Sequence, residues 1–232
     1  MKKSFWTSLF DVISPRTCAV CGTRLSPRET AICVNCHLHL PLTLFETTAY
    51  DNPMARLFWG VLPVERAAAL FYYEPRSEAG QIIYDMKYHG QAQLAEAMGH
   101  MTARLFAAHG FFEDIDALVP VPLTWKRRWH RGYNQSEQIA EGISRHTRLP
   151  VYKNVVKRIS FTESQTRKNA WERQENVEDA FRLANGERIK GKHLLVVDDV
   201  VTTGATIKAC AKELCKAGDV RISILSLGFT KS

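Results

Sequence analysis

Residues 194–206 read Leu-Leu-Val-Val-Asp-Asp-Val-Val-Thr-Thr-Gly-Ala-Thr, and no other stretch constrains the fold as strongly. The four leading apolar residues lack the alternation of a strand with one wet face, so they read as a parallel strand buried on both sides. Two adjacent carboxylates, Asp198 and Asp199, close it. A short apolar pair follows, then Thr202-Thr203-Gly204-Ala205-Thr206, then a helical run from Ile207 to Ala217. A strand that ends in acids and turns through hydroxyls and glycine into a helix suits a phosphorylated sugar. Amides at a helix start attract an anion. Gly204 lets the backbone approach closely. Threonine hydroxyls donate to phosphate oxygens, and the carboxylates accept from sugar hydroxyls.

The rest of the chain reads as alternating strands and helices. Strands are expected over 67–73, 116–122, 151–156, 192–197 and 220–229, with helices over 77–88, 92–108 and 135–146. That alternation predicts an α/β fold, a mostly parallel sheet with helices on both faces. Ligands in such sheets sit at the carboxyl ends of strands, where the Asp pair and Pro120-Val121-Pro122 both fall. Residues 160–178 are polar, without apolar periodicity, and read as a long loop able to close over the site. Pro41 and Pro53 bracket a connector, so the chain divides near residue 50 into an appendage, 1–50, and a main domain, 51–232.

The appendage carries Cys18-x-x-Cys21 and Cys33-x-x-Cys36, two knuckles on a short loop. Four thiolates make a closed tetrahedral site, the usual arrangement of structural Zn²⁺. Two disulfides, a redox pair and an iron–sulfur centre are the alternatives; the paired knuckles favour zinc. With its shell complete, such a metal does not catalyse. A ribbon this small depends on its metal to fold. Cys210 and Cys215 stand apart and read as buried small residues.

The N-terminus superficially imitates a signal peptide, but Asp11 interrupts its apolar region and no small-residue cleavage site follows, so the expected location is cytoplasmic. Phe5, Leu9 and Val12 share a helical face. Residues 4–14 therefore read as a helix docked on its own protein, with a peripheral membrane or partner contact as the alternative. No apolar run is long enough to span a membrane. The net charge of +7 points toward an anionic partner.

Two further constellations carry polar chemistry. In residues 119–135, Lys126, Arg127, Arg128 and Arg131 alternate with Trp125, Trp129 and Tyr133, and Asn134 and Gln135 follow. Cations serve phosphates, and flat rings stack bases or guanidinium groups. The plainer alternative is a solvated basic turn whose tryptophans pack on the core. The loop 160–178 adds Gln165, Arg167, Lys168, Arg173 and Asn176.

The 194–206 stretch resembles the type I phosphoribosyltransferases, whose signature it matches throughout. The resemblance implies that Asp198 and Asp199 contact the ribose hydroxyls of phosphoribosyl pyrophosphate (PRPP). It assigns the 5′-phosphate to Thr202, Thr203, Gly204, Ala205 and Thr206. The order of a four-Cys ribbon, Val-Pro-Val-Pro, Arg-Gly-Tyr-Asn-Gln, Thr-x-x-Gln and the Asp-Asp loop is similar to the ComF family over about residues 18–230, and Lys87-Tyr88 matches a Lys-Tyr/Phe position there. That likeness implies a zinc-binding N-terminus, a phosphoribosyltransferase-like domain and a role in DNA uptake or DNA utilisation. The implied partners are PRPP or a related phosphosugar, single-stranded DNA, competence or helicase proteins, and Mg²⁺ with PRPP. Lys87, Arg127, Arg128, Arg131, Asn134, Gln135, Gln165 and Arg173 then become candidates for pyrophosphate or DNA phosphate. Three functions follow: a DNA-handling protein binding PRPP or single strands, an active transferase with Asp198 and Asp199 as catalytic candidates, or a PRPP-sensing scaffold. Glutamine-dependent amide transfer is disfavoured, because it needs an N-terminal cysteine and Met1 is followed by Lys2.

Overall fold

The computed structural model describes residues 16–27, 29–159 and 180–231. Segment 4–14, Arg28 and the loop with Gln165 and Arg173 lie outside the described residues.

The described residues open with a tight turn. Thr17 bridges Arg24, and Gly22 adopts a φ of +70° that a side chain would strain. The second knuckle opens helix α1 (Val34–His39), whose N-cap is Cys33: its Sγ accepts from the Cys36 amide at 3.4 Å. Cys36 thus stands on a helix rather than on the expected loop.

Residues 41–49 run along the edge of the sheet. The Thr43 amide donates to Leu70 O at 3.1 Å, the Tyr72 amide to Pro41 O at 2.8 Å and the Ala67 amide to Ala49 O at 2.9 Å. Asn52 caps α2 (Pro53–Arg56), accepting from the Met54 and Ala55 amides, and its own amide donates to Ala67 O at 2.7 Å. An open edge strand is a liability, and this segment covers it.

The sheet then builds through β1 (Val64–Tyr72), α3 (Glu78–Tyr88), α4 (Ala92–Ala107), β2 (Ala117–Pro120), α5 (Trp125–Arg131), α6 (Gln135–Thr147), β3 (Val156–Arg158), β4 (Phe181–Leu183), β5 (His193–Val201), α7 (Ala205–Cys215) and β6 (Arg221–Phe229). Four strands pair in parallel in the order β1-β6-β5-β2, and β3 and β4 form a separate antiparallel pair. Leu194 to Val197 of β5 are fully buried, as an interior parallel strand requires. Buried Ser223 on β6 shares a 2.8 Å hydrogen bond with His193 Nε2, and buried Ser226 donates to Gly228 O.

Three elements depart from the sequence reading. The expected strand at 151–156 is a single bridge from Val151 to Leu118, and pairing resumes only at Val156, with β4. β5 does not close at its acids: the ladder to β6 continues to Val201↔Phe229, so both carboxylates sit within the strand. The basic stretch after β2 is the helix α5, capped by the Thr124 hydroxyl and ended by Gly132 at φ 77°.

Helices α4 and α6 pack with their backbones in contact. A Cβ on Gly99 would lie 2.1 Å from Ile139 O, and one on Gly142 would lie 2.0 Å from Glu96 O. Glycine at both positions brings α6 close in against α4, and the start of α6 faces the acid pair.

Candidate functional site

The site forms where β5 and the starts of α6 and α7 converge with the end of α3. β5 delivers Asp198 and Asp199, then passes through Val201 and Thr202-Thr203 to Gly204. Gly204 is the N-cap of α7 in the left-handed region, at φ 74°. A Cβ there would also meet the Phe58 ring at 3.0 Å, so both backbone and space demand glycine. Asp198 and residues 200–207 line a cup of about 40 Å³. The exposed Thr202 and Thr203 hydroxyls stand at its rim with the first amides of α7; the Ala205 amide donates to Thr203 Oγ1 at 3.4 Å, and the helix itself supplies no partner to the amides that follow it in the first turn. The predicted phosphate loop and Asp198 therefore share one concavity.

Charge around the acids is arranged unevenly. Asp199 pairs with Lys87 Nζ at 3.2 Å. Asp198 accepts from the Asp199 amide at 2.9 Å and from Ser136 Oγ at 3.0 Å. Burial and the neighbouring Asp199 charge still push the Asp198 carboxyl up to about 7, despite the opposing hydrogen bonds and Lys87. A carboxyl poised there takes up or releases a proton near neutral pH, and it is relieved by any ligand that donates hydrogen bonds to it.

Lys87 is aimed by its neighbours. The carbonyl of Met86, one residue earlier in the last turn of α3, accepts from Tyr133 Oη at 2.5 Å and Gln135 Nε2 at 3.2 Å. Burial raises the Tyr133 phenol to about 12, so it remains a donor. Asn134 caps α6, accepting from the Ser136 amide, and its amide donates to Val121 O at 3.0 Å. Asn134 and Gln135 are buried, with their side-chain amides donating to Val121 O and Met86 O and Gln135 Oε1 accepting from Arg131. Arg128 makes a bidentate pair with Glu137, at 2.7 and 3.2 Å. Arg131 donates to Gln135 Oε1 at 2.8 Å and lies over the Tyr88 ring at 5.8 Å. Arg127 is exposed on α5.

Two site residues escaped the sequence reading. Ser136 was hidden behind the Asn-Gln pair it follows. Arg158, at the end of β3, stacks on Phe181 at 5.1 Å; burial and the Arg127 charge lower its affinity for a proton, and Asp198 opposes them. Its signal, a lone arginine before a polar loop, is weak.

In the appendage, the four thiol sulfurs of Cys18, Cys21, Cys33 and Cys36 lie within 4.8 Å of one another, and all four are free thiols. The Cys33 amide donates to Cys18 Sγ at 3.3 Å. Hydrogen bonding with Thr23 holds Cys21 down at about 6, whereas burial pushes Cys36 up. An all-sulfur set so gathered can hold one metal ion. Buried Cys210 lies on α7 and Cys215 at its end, apart from this cluster. Among the described residues no helix is long and apolar enough to cross a membrane.

The family model for the phosphoribosyl transferase domain matches residues 130–227, from the end of α5 to β6. With the parallel sheet and the acid-to-glycine loop, this defines a type I phosphoribosyltransferase fold preceded by a cysteine cluster. Competence protein F of Haemophilus influenzae is 37% identical over 113 residues, 48% of this chain and 49% of that protein. The matched segment is thus about half that relative's length. DNA utilization protein YhgH of Escherichia coli K12 is 28% identical over 214 residues, 90% of this chain and 88% of that protein. Competence protein ComFC of Bacillus subtilis is 25% identical over 206 residues, 89% of this chain and 74% of that protein. Over about nine-tenths of its length the chain is thus similar to proteins named for competence and DNA utilization.

Proposed function

We propose that the chain serves DNA utilisation by binding PRPP in the β5–α7 pocket and single-stranded DNA on the basic surface beside it. The observation that carries the reading is the shared concavity: Asp198 lines the same cup as Thr202 to Ile207. A phosphomonoester placed on the amides and hydroxyls of that loop leaves its sugar beside two carboxylates that accept from a vicinal diol. Inorganic phosphate engages only the loop, and ribose only the acids. Mg²⁺ would accompany the pyrophosphate, and Lys87, Arg131 and Arg158 would meet its charge. The relatives' names supply the DNA context, and exposed Lys126 and Arg127 supply cations for a strand. The four thiols would hold Zn²⁺ as a structural ion.

Thermal shift tests the pocket, because a ligand that prefers the folded state raises the melting temperature. The expected order is PRPP with Mg²⁺ first, then ribose 5-phosphate, then inorganic phosphate. Equal shifts from PRPP and inorganic phosphate would remove the acids from the reading.

Turnover is a second reading, and the Asp198 carboxyl near neutrality favours it, since proton transfer works best by groups titrating near the working pH. Release of pyrophosphate from PRPP in the presence of a panel of bases, lost in Asp198→Asn, would support it; no release from any of them would leave a binding or sensing role.

A further inference from the structure

Helix α5 presents an anomaly that the pocket does not use. None of its seven residues is buried, although two are tryptophans, exposed by 66% at Trp125 and 82% at Trp129. Exposed indoles of this size are costly in water, and one helix carrying two of them marks a contact surface. At about 100° per residue, Trp125 and Trp129 share one flank of α5 and Arg131 points to the other. Arg127, His130 and Lys126 fill the outer arc between them. On the Arg131 side the guanidinium lies over Tyr88, whose ring meets that of Tyr84 at a tilt of 44° with centroids 4.9 Å apart. Both tyrosines are half-exposed. The surface therefore runs from an aromatic pair, across a band of cations, to a second aromatic pair.

From this juxtaposition we infer that Tyr84, Tyr88, Trp125 and Trp129 form a base-stacking platform for single-stranded DNA, with the strand's phosphates lying on Lys126 and Arg127 of α5. The inference rests on the reading of the chain as a handler of single strands and deepens it. Base–aromatic stacking tolerates any sequence, because every base has a π-face. Duplex DNA keeps its bases stacked on one another and cannot use the rings. Bare cations without rings would serve both forms alike, so the aromatic pairs set the preference for a single strand. The platform also adjoins the pocket through consecutive residues: Tyr88 stacks beneath Arg131, and Lys87 reaches Asp199.

The test is fluorescence anisotropy of a short labelled oligothymidylate and of a duplex of equal length, titrated with the full chain over a range of salt. Trp129→Ala and Tyr88→Ala are each expected to weaken binding of the single strand about tenfold, with little change in salt slope. Trp129→Phe and Tyr88→Phe should retain most of it. Arg127→Ala should instead make the salt slope shallower by about one contact. The PRPP thermal shift of Trp129→Ala should match that of the parent, which certifies the fold and the pocket. Unchanged affinity in both alanine variants, with Arg127→Ala still weakened, would overturn the platform and leave single-strand binding standing. Duplex binding as tight as single-strand binding would also overturn it. Failure of the parent chain to bind the oligothymidylate at low salt would end the single-strand reading itself, and the platform with it.

Discussion

Residues 16–40 and the sheet that follows reach their folds by different physics. Among the described residues of 16–40 the buried side chains are small or medium, including Leu25, Ile32 and three of the four cysteines. The sheet buries Phe71, Phe106, Phe111, Phe181 and Phe229 almost completely. Apolar burial alone can hold the second region, at about 25 cal/mol per Å². The first has less of that resource: Leu25, Ala31, Ile32 and Leu40 join the same apolar core, and four sulfurs gather beside them. On the proposed reading one region would depend on a bound ion and the other on how tightly it packs, and the proposed ligand pocket belongs to the tightly packed one.

Metal removal breaks this comparison most visibly. Metal analysis should find one zinc per chain, and a strong chelator should unfold the appendage while leaving the sheet's main calorimetric transition in place. Zinc affinities of small ribbons correspond to about 10–16 kcal/mol, so the loss should be complete rather than graded. Denaturant melts in which sheet and appendage fail together would show that the two regions are a single unit.

Packing gives the next largest effect. Gly142→Ala drives a methyl group toward the Glu96 carbonyl and the His100 amide, backbone atoms that cannot swing aside. The sheet domain should lose about 3 kcal/mol in urea titration. Zinc content should stay at the parent level. Parental stability in this variant would mean that α4 and α6 are farther apart than described.

A smaller effect, opposite in sign, belongs to the pocket. The folded-state value of Asp198, about 7, lies above the ordinary carboxyl value of 3.8. Between these values the folded chain holds a proton that the unfolded chain has released, so stability falls as pH rises across the window. Asp198→Asn removes that penalty. The variant should be more stable than the parent by about 1–2 kcal/mol near pH 8, with the gap closing toward pH 4. Equal melting temperatures at both pH values would place the carboxyl in an ordinary environment. A variant that gains stability while losing PRPP is the signature of a site strained for function.

Much of the pocket was legible because its parts are contiguous. Asp198 through Thr206 lie on one strand–turn–helix, and local chemistry sufficed to group Asp198 with residues 200–206 in the one concavity they line. Residue type alone does not say whether a side-chain amide faces a ligand or a buried carbonyl; those of Asn134 and Gln135 donate to Val121 O and Met86 O. Helix α5 escaped for the opposite reason. It buries nothing, so it lacks the apolar periodicity by which helices are recognised. β4 was invisible because three residues pairing with a distant strand carry no local pattern. The acids did not end β5 because Val200 and Val201 continue its ladder with Gly228 and Phe229.

Calorimetric titration of PRPP with Mg²⁺ into the parent chain and into the Asp198→Asn, Asp199→Asn double variant weighs the central claim most directly. The pocket as described predicts saturable binding by the parent, with one ligand per chain, and its loss in the double variant while ribose-free pyrophosphate behaves alike toward both. Undiminished PRPP affinity in the double variant would contradict it.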